Sequence, residues 1–185
     1  VSAQKSATLM SPYFVPGERG ADFLVAGAKS GRLVRVLTNS LVANDVSAVH
    51  GGYSRYRKQL LEGGVQLWEL KPIVGKKARS SMFGASGASL HTKAMVVDAR
   101  WSFVGSMNLD PRSAFTNTEV GAIVDAPTEA AGLCALMDRK LPQNAYRLEL
   151  REAQPGDKRI EWVGMEEGRE VRYATAPMTS AWKRF

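Results

Sequence analysis

Residues 90–97 (LHTKAMVV) and 101–106 (WSFVGS) are two strand-forming runs, apolar and rich in β-branched and aromatic residues, with only Asp98, Ala99 and Arg100 between them. Runs this close in sequence can pair only as an antiparallel hairpin, because a parallel return needs a crossover of about a dozen residues or more. With Ala99 and Arg100 at the tip, Lys93 falls opposite Ser106 and His91 opposite Asn108, and directly opposed residues share a face. Side chains two apart on a strand share that face too, so His91, Lys93, Ser106 and Asn108 are expected on one patch at the open end.

The segments before the hairpin alternate between the two regular structures. Residues 6–15 begin as a buried strand and turn at Pro16 and Gly17 into a helix that runs to about Lys29, with Glu18 suited to its first turn. Gly31 closes that helix and RLVRVLT (32–38) is a second strand. A strand–helix–strand unit places its strands parallel, with ligands beyond their carboxyl ends, here near residues 13–16 and 39–44. Asn44 or Asp45 can cap a further helix, whose apolar stripe is Val46, Val49, Tyr53, Tyr56 and Leu60, with Arg55, Arg57 and Lys58 read as its solvated face. Gly63 and Gly64 end it before a strand at 65–70. The loop 71–89 carries Lys71, Lys76, Lys77 and Arg79, which reads either as a cationic lip beside the hairpin or as a plain solvated loop.

After Asn108 the LDPRSA segment turns back, 118–124 reads as a strand carrying Glu119, and 127–141 as a helix begun by Pro127. The remainder reads as short strands broken at Pro155-Gly156-Asp157 and near Gly168, ending in a basic aromatic tail. The expected division is a catalytic lobe over residues 1–150 and a C-terminal extension over 151–185.

The net charge of +7 favours anionic partners, phospholipid surfaces or nucleic acid. No apolar run reaches the 18 or so residues of a membrane-crossing helix. Cys134 is the only cysteine and lies in an apolar helical pattern, which suits a buried thiol and excludes a disulfide framework. The start lacks a Met, a basic n-region and an apolar h-region, so the sequence is expected to be cut from a longer protein.

The pattern H-T-K-A-M-V-V-D followed by G-S-M-N resembles the HKD motif of the phospholipase D superfamily. The stretches SPYFVPG, GVQLWELKP and NLDPRSAFTNTEVG resemble the C-terminal half of bacterial cardiolipin synthases. That resemblance implies an α/β fold, a mixed β-sheet flanked by helices forming one half of a pseudo-twofold two-lobed enzyme. It implies a two-step displacement at phosphorus without cofactor or metal, in which one histidine attacks a phosphodiester and a second protonates the leaving alcohol.

By the same resemblance His91 is the nucleophile, Lys93 and Asn108 hold the non-bridging oxygens with Ser106 as a further donor, and Glu119 orients His91. Asp98 belongs to the motif, and its place at the turn gives it a bracing role rather than acid–base work. Tyr13, His50 and Arg112 are candidate substrate contacts, each with an ordinary structural alternative, and Gly105 is expected to serve close backbone packing. A complete site of this family needs two such motifs and this sequence holds one. The implied partner is an N-terminal lobe of the parent protein or a second copy of the chain. The function expected is phosphatidyl transfer on anionic phospholipid, peripheral to a bacterial inner membrane, with this chain itself soluble. The alternatives are a homodimeric phosphodiesterase or nuclease and an inactive lipid- or partner-binding lobe.

Overall fold

The computed structural model describes residues 2–43, 47–72 and 89–178, with side chains described from residue 51 in the second stretch. Strand β1 (Ser6–Met10) leads through a turn to helix α1 (Gly17–Lys29) and strand β2 (Leu33–Asn39). Helices α2 (Ser47–Ser54) and α3 (Arg57–Glu62) precede β3 (Gln66–Leu70), and the hairpin is β4 (Ala94–Val97) with β5 (Trp101–Gly105). A short α4 (Pro111–Phe115) joins it to β6 (Gly121–Asp125), followed by α5 (Pro127–Asn144), β7 (Ala145–Gln154), β8 (Asp157–Glu166) and β9 (Arg169–Tyr173).

These strands form one mixed sheet in the order β6-β5-β4-β1-β2-β3-β7-β8-β9. Only β1, β2 and β3 are mutually parallel, as their helical crossovers require, and every other pairing is antiparallel. Alternation along the central strands divides two cores. Leu9, Val36 and Leu67 join Ala21 and Leu24 of α1 and Tyr53 and Leu60 of the α2–α3 pair on one face. Met10, Leu37, Ala94 and Val96 join Ala130, Met137 and Leu141 of α5 on the other.

The hairpin register differs from the one expected. Val97 pairs with Trp101 and Ala94 with Val104, so the connection is the three residues Asp98, Ala99 and Arg100. Asp98 and Ala99 both take left-handed conformations (φ 54° and 49°), and the Arg100 N–H returns to the Val97 carbonyl at 3.0 Å. Such a turn ordinarily announces itself with Asn or Gly, and Asp-Ala carries no such signal. Continuing this register sets Lys93 beside Gly105, whose N–H donates to the Lys93 carbonyl at 3.1 Å, so Lys93 does not oppose Ser106. The ladder stops there, and His91, Ser106 and Asn108 all lie on irregular backbone.

Three further expectations are corrected. The helix carrying the tyrosine stripe is two helices parted at residues 55–56, which lets Arg57 turn inward instead of into solvent. Arg57 is buried, pairs with the fully buried Glu69 at 2.8 Å and stacks over Tyr53, while the Trp162 indole N–H donates to Glu69 at 2.8 Å. Removing one member of such a pair strands the other without water, a loss of about 3–5 kcal/mol. Lys71 is also turned inward, donating to the Met165 carbonyl at 2.7 Å across the Tyr146 ring, so it is no part of a cationic lip. The other basic residues of that loop, Lys76, Lys77 and Arg79, lie outside the described residues. The last three strands are longer than expected and continue the same sheet, β7 running unbroken from Ala145 to Gln154. The basic aromatic tail beyond residue 178 lies outside the described residues.

Candidate active site

Because β4 runs antiparallel to β1, with Met10 opposite Ala94, the segment leading into β4 emerges at the carboxyl end of the parallel strands. That is the edge where open α/β sheets hold their ligands. The side-chain amide of Asn39, at the end of β2, fixes this segment: it accepts from the Leu90 N–H at 2.7 Å and donates to the Leu90 carbonyl at 3.3 Å. Asn39 and Leu90 are both buried. A buried amide that engages both backbone groups of the residue before His91 leaves that position little freedom. The sequence showed Asn39 only as a strand exit.

His91 itself is exposed, and among the described residues its imidazole makes no hydrogen bond. Its carbonyl accepts from the Lys93 ammonium at 3.1 Å. Burial pulls the Lys93 ammonium below the ordinary lysine range, while the nearby Glu119 carboxylate works in the opposite direction.

Glu119 lies just before β6 and not within it. Its carboxylate accepts from the Ser106 hydroxyl at 2.5 Å and from the Asn117 amide at 3.2 Å. The hydrogen bond from Ser106 holds this carboxyl below the usual carboxylate range, helped by Ser113 and Asn117. Among the described residues the expected bond from His91 to Glu119 is not formed, and the carboxylate accepts from Ser106 and Asn117 instead. Ser106 is itself fixed, its oxygen accepting from the Val120 N–H at 3.0 Å.

Asn108 is partly buried, with its side-chain oxygen out of solvent and without a partner. Its N–H donates to Ser113 Oγ at 3.2 Å. Ser113 sits on α4, which Asp110 caps by accepting from the N–H groups of Arg112 and Ser113 at 2.8 and 3.1 Å, with Pro111 in the first turn. The loop after β1 is tied to the same place. Ser11 Oγ accepts from the Leu109 N–H at 3.0 Å, and the Val15 N–H donates to the Leu109 carbonyl at 2.7 Å. Tyr13, between those ties, is therefore held beside residues 107–110, and α2 approaches it where a Cβ on Gly52 would lie 3.0 Å from Val15.

His50 lies on α2, but its side chain falls outside the described residues. Arg112 is exposed on α4, and among the described residues its guanidinium makes no ion pair. Gly105 has the packing expected of it: with Gly121 it lies under the Phe103 ring, and a Cβ at Gly121 would come within 2.4 Å of that ring.

Asp98 stands apart, at the opposite end of β4. Its carboxylate accepts from the N–H groups of Gln4, Lys5 and Ser6 at 2.8, 2.7 and 2.8 Å. Partial burial alone would raise its pKa, but these three donors outweigh it and hold the carboxyl below the usual range. It braces the turn and the start of β1 together. Among the described residues, no three histidine, cysteine, aspartate or glutamate side chains gather into a metal-holding group.

A mixed sheet flanked by helices, with this motif at the carboxyl edge of its parallel strands, defines a phospholipase D-like fold. Nuc from Salmonella typhimurium, a phospholipase D family member, superposes with a TM-score of 0.55 at 20% identity, over 75% of this chain and 79% of that one. Phosphatidylserine synthase from Haemophilus influenzae Rd KW20 gives 0.59 at 17% identity, over 80% of this chain and 35% of that one.

Residues 1–141 match the family described as "Cardiolipin synthase, PLD-like domain", and the chain belongs to that family. Cardiolipin synthase C of Escherichia coli (strain K12) is 40% identical over 188 residues, which cover 99% of this chain and 38% of that protein. A cardiolipin synthase of Geobacillus sp. (strain WCH70) is 35% identical over 123 residues, 66% of this chain and 21% of that protein. The chain thus spans well under half the length of these relatives. No helix among the described residues is long and apolar enough to cross a membrane.

Proposed function

We propose that this chain is the C-terminal catalytic lobe of a cardiolipin synthase-like phosphatidyltransferase that acts on anionic phospholipid at a membrane surface. Residues 1–150 form the lobe that carries the site, and 151–185 are an extension whose described strands lengthen the sheet. The observation that carries the reading is the cluster at the hairpin's open end. There the Lys93 ammonium, partly withdrawn from water, donates to the carbonyl of an exposed His91 whose imidazole makes no hydrogen bond among the described residues, and the ionised Glu119 lies within electrostatic reach of Lys93.

In the proposed reaction a ring nitrogen of His91 attacks phosphorus and the bond to the leaving alcohol breaks, leaving a phosphatidyl-histidine. A histidine of the partner lobe protonates the departing alkoxide. It then takes the proton of an acceptor alcohol, whose oxygen attacks phosphorus and releases His91. Lys93 and Asn108 hold the non-bridging oxygens where negative charge concentrates, and Ser106, whose one hydroxyl hydrogen goes to Glu119, steadies that carboxylate beside them. Glu119 stabilises the imidazolium through the local field, since its hydrogen bonds go to Ser106 and Asn117. Tyr13, His50 and Arg112 contact the rest of the substrate, and the net charge of +7 favours an anionic surface.

This chain offers a partner lobe a surface to cover. Val104, Val120, Ala122 and Val124 share one face of the β5–β6 edge beyond the cover of α5, with Val120 77% exposed and Val104 57% exposed. An apolar strip on an open edge strand calls for a covering surface. A second copy of this chain fits the same strip, which keeps a homodimeric phosphodiesterase as the second reading; sedimentation of the isolated chain as a monomer at high concentration removes it.

The deciding test is His91→Ala in the full-length parent protein. Transfer on phosphatidylglycerol vesicles should be lost, along with the acid-labile phosphoryl-enzyme trapped in the wild type, while the thermal midpoint is kept. Substantial remaining transfer would sink the assignment.

A further inference from the structure

A cleft of about 420 Å³ opens between α1 and the segment from Met107 through α4, and Asn108 lies in its wall. Its lining is almost wholly apolar, including Phe14, Phe23, Met107, Ala114 and Phe115. Two of these rings are far more exposed than large aromatic residues usually are: Phe23 at 78% on α1 and Phe115 at 88% on α4. Neither belongs to the stripe its helix buries. Two cations lie beside the cleft, Arg19 in its wall and Arg112 on α4, and among the described residues neither guanidinium forms an ion pair.

We infer that this cleft receives an acyl chain of the phospholipid whose phosphate is held at Lys93 and Asn108. The inference rests on the proposed reaction and adds to it a second subsite, made by Phe23, Met107, Ala114 and Phe115. Three features point to one occupant. Asn108 belongs both to the candidate site and to the wall of the cleft, so a molecule held there by its phosphate has the cleft as its neighbour. Its walls offer apolar contact with almost no hydrogen-bonding group, which suits a hydrocarbon chain and not a second polar headgroup. Its flank carries positive charge free to meet the anionic end of the same molecule. An apolar tail beside an anion is the chemistry of a glycerophospholipid.

The test uses the full-length protein with His91→Ala, which stops turnover, titrated by calorimetry with monomeric dihexanoyl- and dioctanoyl-phosphatidylglycerol. If one chain enters the cleft, the longer lipid binds about fifteen-fold more tightly, at about 0.8 kcal/mol for each of two further buried methylenes. Adding Ala114→Trp, which fills the cleft, or Phe23→Asp, which makes its wall polar, should bring that ratio close to one. Phe23 is so exposed that its variant is expected to fold normally even if the tryptophan variant does not. A ratio near one without these additions overturns the inference, as does a large ratio that both leave unchanged. A lower thermal midpoint in the variants with no change in ratio gives the cleft to the partner lobe instead. The ratio does not depend on turnover. Failure of the proposed reaction, seen as no conversion of phosphatidylglycerol by the unmodified protein, is therefore read separately.

Discussion

The two ends of the β4–β5 hairpin are built from similar residues and do opposite things. At the closed end Asp98 is an acceptor fully used, its carboxylate taken up by three backbone N–H groups from the start of β1. At the open end the groups are held but not exhausted. His91 has no hydrogen bond on its ring among the described residues, and Lys93 donates to a single carbonyl beside a carboxylate. A polar group whose partners are all backbone is a fastener. One positioned by its neighbours yet left with spare bonding capacity is poised for a ligand.

Four substitutions probe that contrast. The largest effect is expected at the open end. Lys93→Met in the full-length protein should lower kcat by about 10²–10³-fold, the cost of losing one donor to a developing anion, with the unfolding midpoint nearly unchanged. A large loss of stability there would erase the distinction between the ends.

At the closed end, Asp98→Ala should cost about 1–3 kcal/mol in denaturant unfolding and alter activity only through the folded fraction. Because the folded Asp98 carboxyl titrates below its unfolded value, its contribution is complete above about pH 4. It is lost as pH falls through the folded value, so the gap between wild type and variant should close on acidification. A gap that widened instead would remove Asp98 as a fastener.

Ser106→Ala takes away the leading cause of the low Glu119 pKa. The acid limb of the pH–rate profile should move to higher pH, with a loss of about tenfold in kcat/KM at neutral pH. An unmoved limb would separate Glu119 from the chemistry. The smallest effect is expected at Ala99, held at φ 49°: Ala99→Gly should raise stability by about 1 kcal/mol, measured by denaturant titration, because glycine takes the left-handed conformation without a Cβ clash.

Much of this was readable before any fold was known. The strands, their order along the chain and the hairpin follow from alternation, β-branched runs and Gly or Pro punctuation. The pattern at His91, Lys93 and Asn108 points to a candidate site through its resemblance to the HKD motif. Register was not readable, since it hangs on one residue in a turn whose left-handed Asp98 and Ala99 carry no glycine or asparagine signal. Arg57 was misplaced because helical periodicity cannot foresee a break at 55–56, nor a buried Glu69 arriving from β3. Asn39 passed unnoticed for a similar reason: its partner, Leu90, is 51 residues away.

Sequence by itself determined the family to which this chain belongs, because the motif pattern at His91, Lys93, Asp98 and Asn108 is local and can be read without the fold. Tertiary structure alone decided which carboxylate fastens and which stays near the candidate site. Asp98 is used up by β1, Glu69 is sealed beneath Arg57 and Trp162, and Glu119 is left at the open edge. The physical reason is that a carboxylate's role depends on its donors and its access to water, and both come from elements distant in sequence.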